Sequence, residues 1–427
     1  MPQIVSIKDN RSLSRYEFLR ARAICEEARA SVLERPDYIR RHAVDPRFAL
    51  PDANWSYDAP NEFVQLFRRV CDADVRTLEH LRGLSQVFTG YNIYEVCNAR
   101  GLSVANLPMT DALDATTRDR LDKQNGPQLA LWRHITQGIP RRFIFSPARL
   151  LGKVGHDADG VLVNSDTSTY QERVNLIYAS GIADWIDRVI EATGTVRICE
   201  IGGGYGALCS WFKQAFPEAT YTIVDLPESL LFSRLYVSLT RPDLSTAAGL
   251  AEAPHGVCFV PNYMAEQLAQ PFDLVINTLS MSEMSEYQVR RYLALMKSVW
   301  LKDGGLFFEQ NMDNRPMGLQ CAEALIREEF PQHRSLRSHA SILREGSPNV
   351  WSLAPIRLTG KLVDTEGVTV ALPVAAAGGW KGLAGSLWSA VPRRLQRARS
   401  GRRPNPRDRS IWPGRAFKAP RLTGSAG

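Results

Sequence analysis

Apolar and polar positions change their rhythm near residue 195 of this 427-residue chain. Before that point apolar residues recur at helical steps; after it, short apolar runs alternate with helical stretches. Leu13 to Leu33 reads as a polar amphipathic helix. Asn61 to Leu81 is a stronger one, with Phe63, Leu66, Phe67, Val70, Cys71, Val75, Leu78 and Leu81 at three- and four-residue steps. Residues 1–150 therefore read as a mostly helical N-terminal domain. Ser168 to Glu191 carries the cleanest helical face, from Val174, Ile177 and Tyr178 to Val189 and Ile190, and Ser168 with Gln171 has capping-box spacing. Strand-like pieces follow at Val196–Ile201, Tyr221–Asp225, Val257–Val260, Asp273–Asn277 and Leu306–Gln310. A helix is predicted over Glu286–Leu301, with Val289, Tyr292, Leu293, Met296, Val299 and Trp300 inward. Short apolar strands separated by helices predict an α/β domain over residues 151–370 whose parallel sheet is buried on both faces. Val350–Leu353 and Ile356–Leu358 are candidates for its antiparallel end.

Composition sets limits on this picture. Hydrophobic residues make up 44% and charged residues 23%, enough for a substantial core. The start, MPQIVSIKDNRSLSRYEF, has no apolar core of a secretory signal, and no run approaches the roughly 18–20 apolar residues that span a bilayer. Seven scattered cysteines without a CxxC pair argue for reduced thiols in a cytoplasm and against a zinc site. The formal charge of +7 is concentrated at one end: Lys381 to Arg421 holds 12 Lys or Arg against one acid, Asp408, so the remainder is mildly acidic. A general or specific nucleic-acid-binding body is not expected. Residues 371–427 form a Gly-, Pro- and Arg-rich tail expected to be largely disordered. With Trp380, Trp388 and Trp412 the tail has the composition for peripheral contact with an anionic membrane at its inner face, for nonspecific RNA binding, or for a solvated terminus.

The chemistry concentrates in VRICEIGGGYGALCSWFKQAFPEATYTIVDLPE, Val196 to Glu228. A glycine turn between a buried strand and a helix exposes backbone N–H groups at the positive end of the helix dipole and lets a ligand approach the chain closely. Gly202, Gly204 and Ala207 satisfy G-x-G-x-x-A, which a dinucleotide fold also uses. Glu200 extends the pattern to E-x-G-x-G-x-G with Gly202, Gly204 and Gly206. Asp225 ends the next strand 19 residues after Gly206, where a carboxylate accepts both hydroxyl protons of a ribose. No hydride-transfer constellation follows.

The glycine motif resembles the first motif of class I S-adenosylmethionine-dependent methyltransferases. Together, NSDTSTYQERVNLIYASGI, IGGGYG, YTIVDLPESLLFSRLY and FDLVINTLSMSEMS resemble the bacterial sugar O-methyltransferase family over roughly Gly152 to Phe330. The resemblance implies a Rossmann-like class I methyltransferase sheet behind a helical N-terminal substrate domain or lid. It also implies S-adenosylmethionine as cofactor and a sugar hydroxyl, on a surface glycan or its precursor, as acceptor. Glu200 would then help hold the methionine end and Asp225 the ribose, with Asn262 and Tyr263 placed to meet the adenine.

Methyl transfer to a weakly acidic hydroxyl benefits from a base aligned beside the reacting oxygen. Glu283, past the fourth strand, fits by position, although Ser280 to Glu283 also has capping-box spacing. His156 in KVGHDADGV is a second candidate, with a solvated turn as the alternative. Asp166, Tyr170, Gln171 and Arg173 match the family's DTxxYQER-like segment and would bond sugar hydroxyls; Gln171 as a cap and Arg173 as a surface residue are the structural alternatives. Asn277 and Asn311, at strand ends, would orient the acceptor or line the cofactor cleft. Asp157, Asp159 and Asp166 lack the spacing of a calcium loop, so no metal is assigned. Three rival readings are an NAD(P)-dependent oxidoreductase, a catalytically silent sugar-binding scaffold and a nucleic-acid methyltransferase, the last supported by the basic tail but lacking an N/D-P-P-aromatic motif in FDLVINTLSMSEM.

Overall fold

The alternation after Val196 builds the sheet it predicts, with a different edge. A computed structural model describes residues 4–5, 9–51, 62–81, 115, 119, 129–153, 155–338, 348–359 and 368–370; the tail predicted over 371–427 lies outside them. The N-terminal elements are β1 (Ile4–Val5), α1 (Arg15–His42), α2 (Pro46–Ala49), α3 (Glu62–Cys71) and α4 (Val75–Glu79). A hairpin of β2 (Gly155–Ala158) and β3 (Val161–Val163) leads into α5 (Ser165–Ala179) and α6 (Ile182–Thr193). The sheet unit continues with β4 (Arg197–Ile201), α7 (Ala207–Ala215), β5 (Thr220–Asp225), α8 (Pro227–Thr240), β6 (Thr246–Ala248), β7 (Val257–Pro261), β8 (Phe272–Thr278) and α9 (Glu286–Leu295). It closes with β9 (Leu301–Gln310), α10 (Ala322–Glu329), β10 (Gln332–Ser338), β11 (Asn349–Ser352) and β12 (Val368–Val370).

Strand order among the described residues is β12-β10-β11-β9-β8-β4-β5-β7-β6. β6, β7, β5, β4, β8 and β9 run parallel, while β11 is inserted antiparallel between β9 and β10. This is a Rossmann-like sheet. Successive residues of a strand face opposite layers: Ile198, Ile223 and Leu274 join the core beneath α5, α7 and α8, and Cys199, Val224 and Val275 join the core beneath α9 and Trp300. The chain leaves β4 toward β5 on one side and later returns to β8 on the other. The strand order therefore reverses beside β4, where an open α/β sheet leaves a crevice.

Several helices start or stop where tertiary contacts decide. α1 is capped by the Ser14–Glu17 box and runs past Leu33 through Pro36. Beyond the proline, Tyr38 packs on Tyr263 with ring centroids 5.1 Å apart. One turn earlier, the buried Arg35 pairs with the buried Glu228 of α8. The predicted Ser168–Glu191 helix instead starts at Ser165, capped by Asn164, and breaks at Gly181, whose φ of 84° ends one helix and opens the next. The capping box near residue 285 is Ser285 with Gln288, not Ser280 with Glu283. α9 stops at Leu295, and a π turn covers Met296–Trp300. Asn61–Leu81 is likewise split, with Asp74 capping α4. No helix among the described residues is long and apolar enough to cross a membrane.

Candidate functional site

A cavity of about 230 Å³ opens at the switch point, lined by Glu200 and Gly202 to Gly204 from β4 and its turn, and by Val224, Asp225, Leu226 and Ser229 from β5 and α8. Asn262 closes one end, and Thr278 to Ser280, Glu283 and Met284 close the other. Phe48 and Pro51 reach it from the N-terminal segment, Tyr170 and Arg173 from α5, and Gln288 and Tyr292 from α9.

The glycines answer to different neighbours. A Cβ on Gly202 would collide with Ser280 Oγ, and one on Gly206 would lie 3.0 Å from Val237 of α8, so these two glycines serve close packing. Gly204, at φ +54°, has nothing within 4 Å of its would-be Cβ and leaves the turn open to a ligand. Tyr205 within the turn is buried, and its hydroxyl donates to Asp166 Oδ2 at 3.0 Å.

Acidic side chains, Glu200, Asp225 and Glu283, outnumber the one basic side chain, Arg173, in the cavity lining. Burial pushes the Glu200 carboxyl up to about 8, against a hydrogen bond from Tyr221 and the nearby Arg173. Asp225 is half-buried, its open side facing the cavity rather than bulk solvent. That enclosure raises it to about 7 despite donation from Leu226 N and Ser229, and Glu283 adds repulsion. Asn262 donates Nδ2 to Ala49 O at 3.0 Å, while its buried Oδ1 has no partner among the described residues. Arg173 lies over the Tyr170 ring, 5.1 Å from its centroid, and its Nε donates to Gln310 Oε1 at 3.3 Å.

Glu200, Gly202, Gly204, Asp225, Asn262, Glu283, Tyr170 and Arg173 thus meet in one cavity. The other expected site residues lie elsewhere. Gly206 starts α7 with φ 84° and packs on α8. Tyr263 is buried, with its hydroxyl at Ser31. His156 is a buried strand residue of the hairpin, paired with Ile4 and Val163; the expected solvated turn there is a strand. Asp166 is held by the buried Lys153 Nζ at 2.9 Å and by Tyr205, so it braces the glycine turn. Gln171 accepts from Phe145 N at 2.7 Å and donates to Phe143 O at 2.8 Å, locking the preceding loop to α5. Asn277 is fully buried under the turn that carries Glu283, donating to Ile201 O at 2.8 Å. Among the described residues no cluster of three or more His, Cys, Asp or Glu is placed to hold a metal ion.

No protein-family model and no curated protein sequence matches the chain. Solved structures do. The N-methyltransferase NodS from Bradyrhizobium japonicum, in complex with S-adenosyl-L-homocysteine, is 14% identical over 52% of this chain and 95% of its own, with a TM-score of 0.29. CalS10, an amino pentose methyltransferase from Micromonospora echinaspora with S-adenosylmethionine bound, is 21% identical over 33% of this chain and 55% of its own, with a TM-score of 0.23. The pyocyanin biosynthetic protein PhzM is 16% identical over 44% and 58%, with a TM-score of 0.29. Scores this low leave the function to be read from the chain's own residues.

Sequence reading missed the N-terminal wall. Phe48 and Pro51 sit on a segment whose carbonyls are captured from the sheet unit: Gln288 Nε2 donates to Leu50 O at 2.9 Å and Asn262 to Ala49 O. The Asp45–Pro46 helix start was visible as a cap followed by proline. Nothing in the linear pattern says that it folds back over strands two hundred residues away.

Proposed function

We propose that this chain is an S-adenosylmethionine-dependent methyltransferase that acts on a sugar hydroxyl of a glycan or its precursor. The observation that carries the cofactor is the set of groups at the switch point. An open glycine turn, a strand-end carboxylate and an unpartnered buried acceptor line one cavity. They fit the group part by part. Asp225 would take the ribose hydroxyls, Asn262 Oδ1 an adenine amino proton, and Glu200 the methionine ammonium. Three carboxylates against Arg173 favour a ligand bearing positive charge. Bound there, S-adenosylmethionine supplies a methyl group activated on a sulfonium.

The remaining walls belong to the acceptor. Glu283 lines the cavity, and the helix after it is capped by Ser285 and Gln288, so its carboxylate stands at the cavity wall to take the hydroxyl proton as the oxygen becomes nucleophilic. Phe48, Leu279, Met284 and Tyr292 keep water from that end. Arg173, carried over the Tyr170 ring at the cavity wall, brings donors that suit a polyhydroxylated ring, which supports the sugar; Asp166, Gln171 and Asn277 are bound within the fold and leave the substrate set. The contribution of Phe48 and Pro51 supports residues 1–150 as the acceptor-side cover. The antiparallel β11 between β9 and β10 departs from the classic six-stranded order of a dinucleotide fold, which favours the methyltransferase over an oxidoreductase. The 12 basic residues from Lys381 to Arg421 support peripheral binding of that tail to an anionic membrane in the cytoplasm. Loss of sedimentation with phosphatidylglycerol vesicles on truncation at residue 370 is expected.

Calorimetric titration with S-adenosylhomocysteine, and separately with NADH, tests the cofactor. Thioether binding without NADH binding is expected, and the reverse would overturn the reading. With a methylated glycan then found by labelled-methyl screening, Glu283→Gln should slow turnover about 100-fold or more; an unchanged rate would remove Glu283 as the base.

A further inference from the structure

We propose that Glu309 is a positioning residue: its carboxylate anchors the turn that carries Glu283, through two asparagine amides, by accepting from fixed donors on both of its sides. The proposal rests on Glu283 being the base. Glu309 is fully buried near the end of β9 and does not line the cavity. It stands in register with Asn277 of β8 and Asn349 of β11. Its Oε1 accepts from Asn349 Nδ2 at 2.7 Å and from the Trp351 indole N–H at 3.3 Å. Its Oε2 accepts from Asn311 Nδ2 at 2.9 Å.

From there the bonds run to the turn. Asn311 Nδ2 also donates to Asn277 Oδ1 at 2.9 Å, and Asn311 Oδ1 accepts the Ser282 backbone N–H at 3.1 Å. Asn277 Oδ1 accepts Met281 N at 3.3 Å, while its Nδ2 bonds Ile201 O and Ser280 Oγ. The turn needs this hold because Leu279, at φ 68°, enters it in a left-handed conformation costly for a branched side chain.

Two ends of the network cannot be reversed. An indole N–H and a backbone N–H only donate. Ser282 N therefore keeps Asn311 Oδ1 toward the turn and Nδ2 toward Glu309, while Trp351 presents a donor on the other side. A glutamine at 309 has one acceptor and one amide, so whichever way it turns, one donor faces another. The carboxylate is therefore the group that meets fixed donors on both sides and anchors the bonds that run to Met281 and Ser282.

Hydrogen exchange on the full-length protein without ligand tests this. In Glu309→Gln, the amides of Met281 and Ser282 should exchange about tenfold faster or more, while those of β4 keep their wild-type rates. Asn311→Ala, which cuts the next link, should loosen the same two amides and decides the matter if Glu309→Gln does not fold. Side-chain amide resonances of Asn277 should be broader in both variants than in the wild type. Unchanged exchange at the turn in a folded variant overturns the proposal; so does an equal rise across β8 and β9, which would mark Glu309 as part of the general framework. Because the readout needs no cofactor, localised loosening in the variants together with wild-type protein that fails to bind S-adenosylhomocysteine would defeat the methyltransferase reading alone.

Discussion

At the strand ends, the buried Glu200 and half-buried Asp225 hold their carboxyl groups beside an open cavity; on α5, the buried Asp166 and Gln171 are bonded to the fold itself. Both sets are polar, both flank the glycine turn, and both belong to segments that resemble the same family. The difference lies in where the bonding capacity goes. Gln171 spends its amide on Phe143, Phe145 and Asn175, and Asp166 spends an oxygen on Lys153 and Tyr205. Asn262 keeps a buried oxygen unspent. Burial alone does not mark a ligand contact; an unfilled hydrogen bond on a residue that lines a cavity is the stronger sign.

That contrast can be broken from either side. The largest effect is expected from Asp225→Ala, which removes the strand-end acceptor placed for ribose hydroxyls. S-adenosylhomocysteine affinity should fall about 100-fold, roughly 2.7 kcal/mol, by calorimetry, with little change in stability. The opposite signature belongs to Gln171→Leu. It strands the Phe145 N–H and Phe143 carbonyl, so denaturant unfolding should show a loss of about 2–3 kcal/mol while ligand affinity stays within twofold. If affinity collapsed with unchanged stability, the division between the two regions would be wrong. Asn262→Ala should weaken the thioether about tenfold, with a smaller loss of stability from the released Ala49 carbonyl.

The smallest effect is a proton. Glu200 and Asp225 are raised to about 8 and about 7, so folding favours their neutral forms. Their contribution to the ligand-free protein is full below the ordinary carboxyl range and is lost as pH rises through 7 to 8, so its unfolding midpoint should be lower at pH 9 than at pH 6. A cationic ligand favours the ionised carboxylates, so binding near pH 7.5 should release a fraction of a proton and tighten as pH rises from 6 to 8. Titration enthalpies in buffers of different ionisation enthalpy would reveal it; proton uptake would contradict the assignment.

Much of the sheet was legible because strands buried on both faces need continuous apolar runs, and Val196–Ile201 or Asp273–Asn277 can be little else. β10 was not: QHRSLRS has no apolar alternation, and it is a strand because β11 and β12 pair with it. The hairpin at Gly155–Val163 was read as a loop for the same reason. In the site, Glu200, Gly204 and Asp225 were legible because spacing along one β-turn-α-β unit fixes their positions. Asp166, Tyr170 and Arg173 share a helical face by the same arithmetic, yet their uses diverge because Tyr205 comes against the first turn of that face and the cavity against the second. Glu309 and Asn311 gave no local signal of their partnership, which depends on strands 277, 309 and 349 becoming neighbours.

The contact between Gly202 and Ser280 makes the tolerance of these two positions to sequence drift one-sided. Ser280 bonds Ile201 O at 3.0 Å, and an alanine there would give up that bond while still fitting. Gly202 has no such freedom, because any side chain meets Ser280, and even opposite a glycine at 280 its φ of +75° would still oppose an L residue. Descendants of this chain can therefore lose the serine and keep the turn, but none can lose the glycine first.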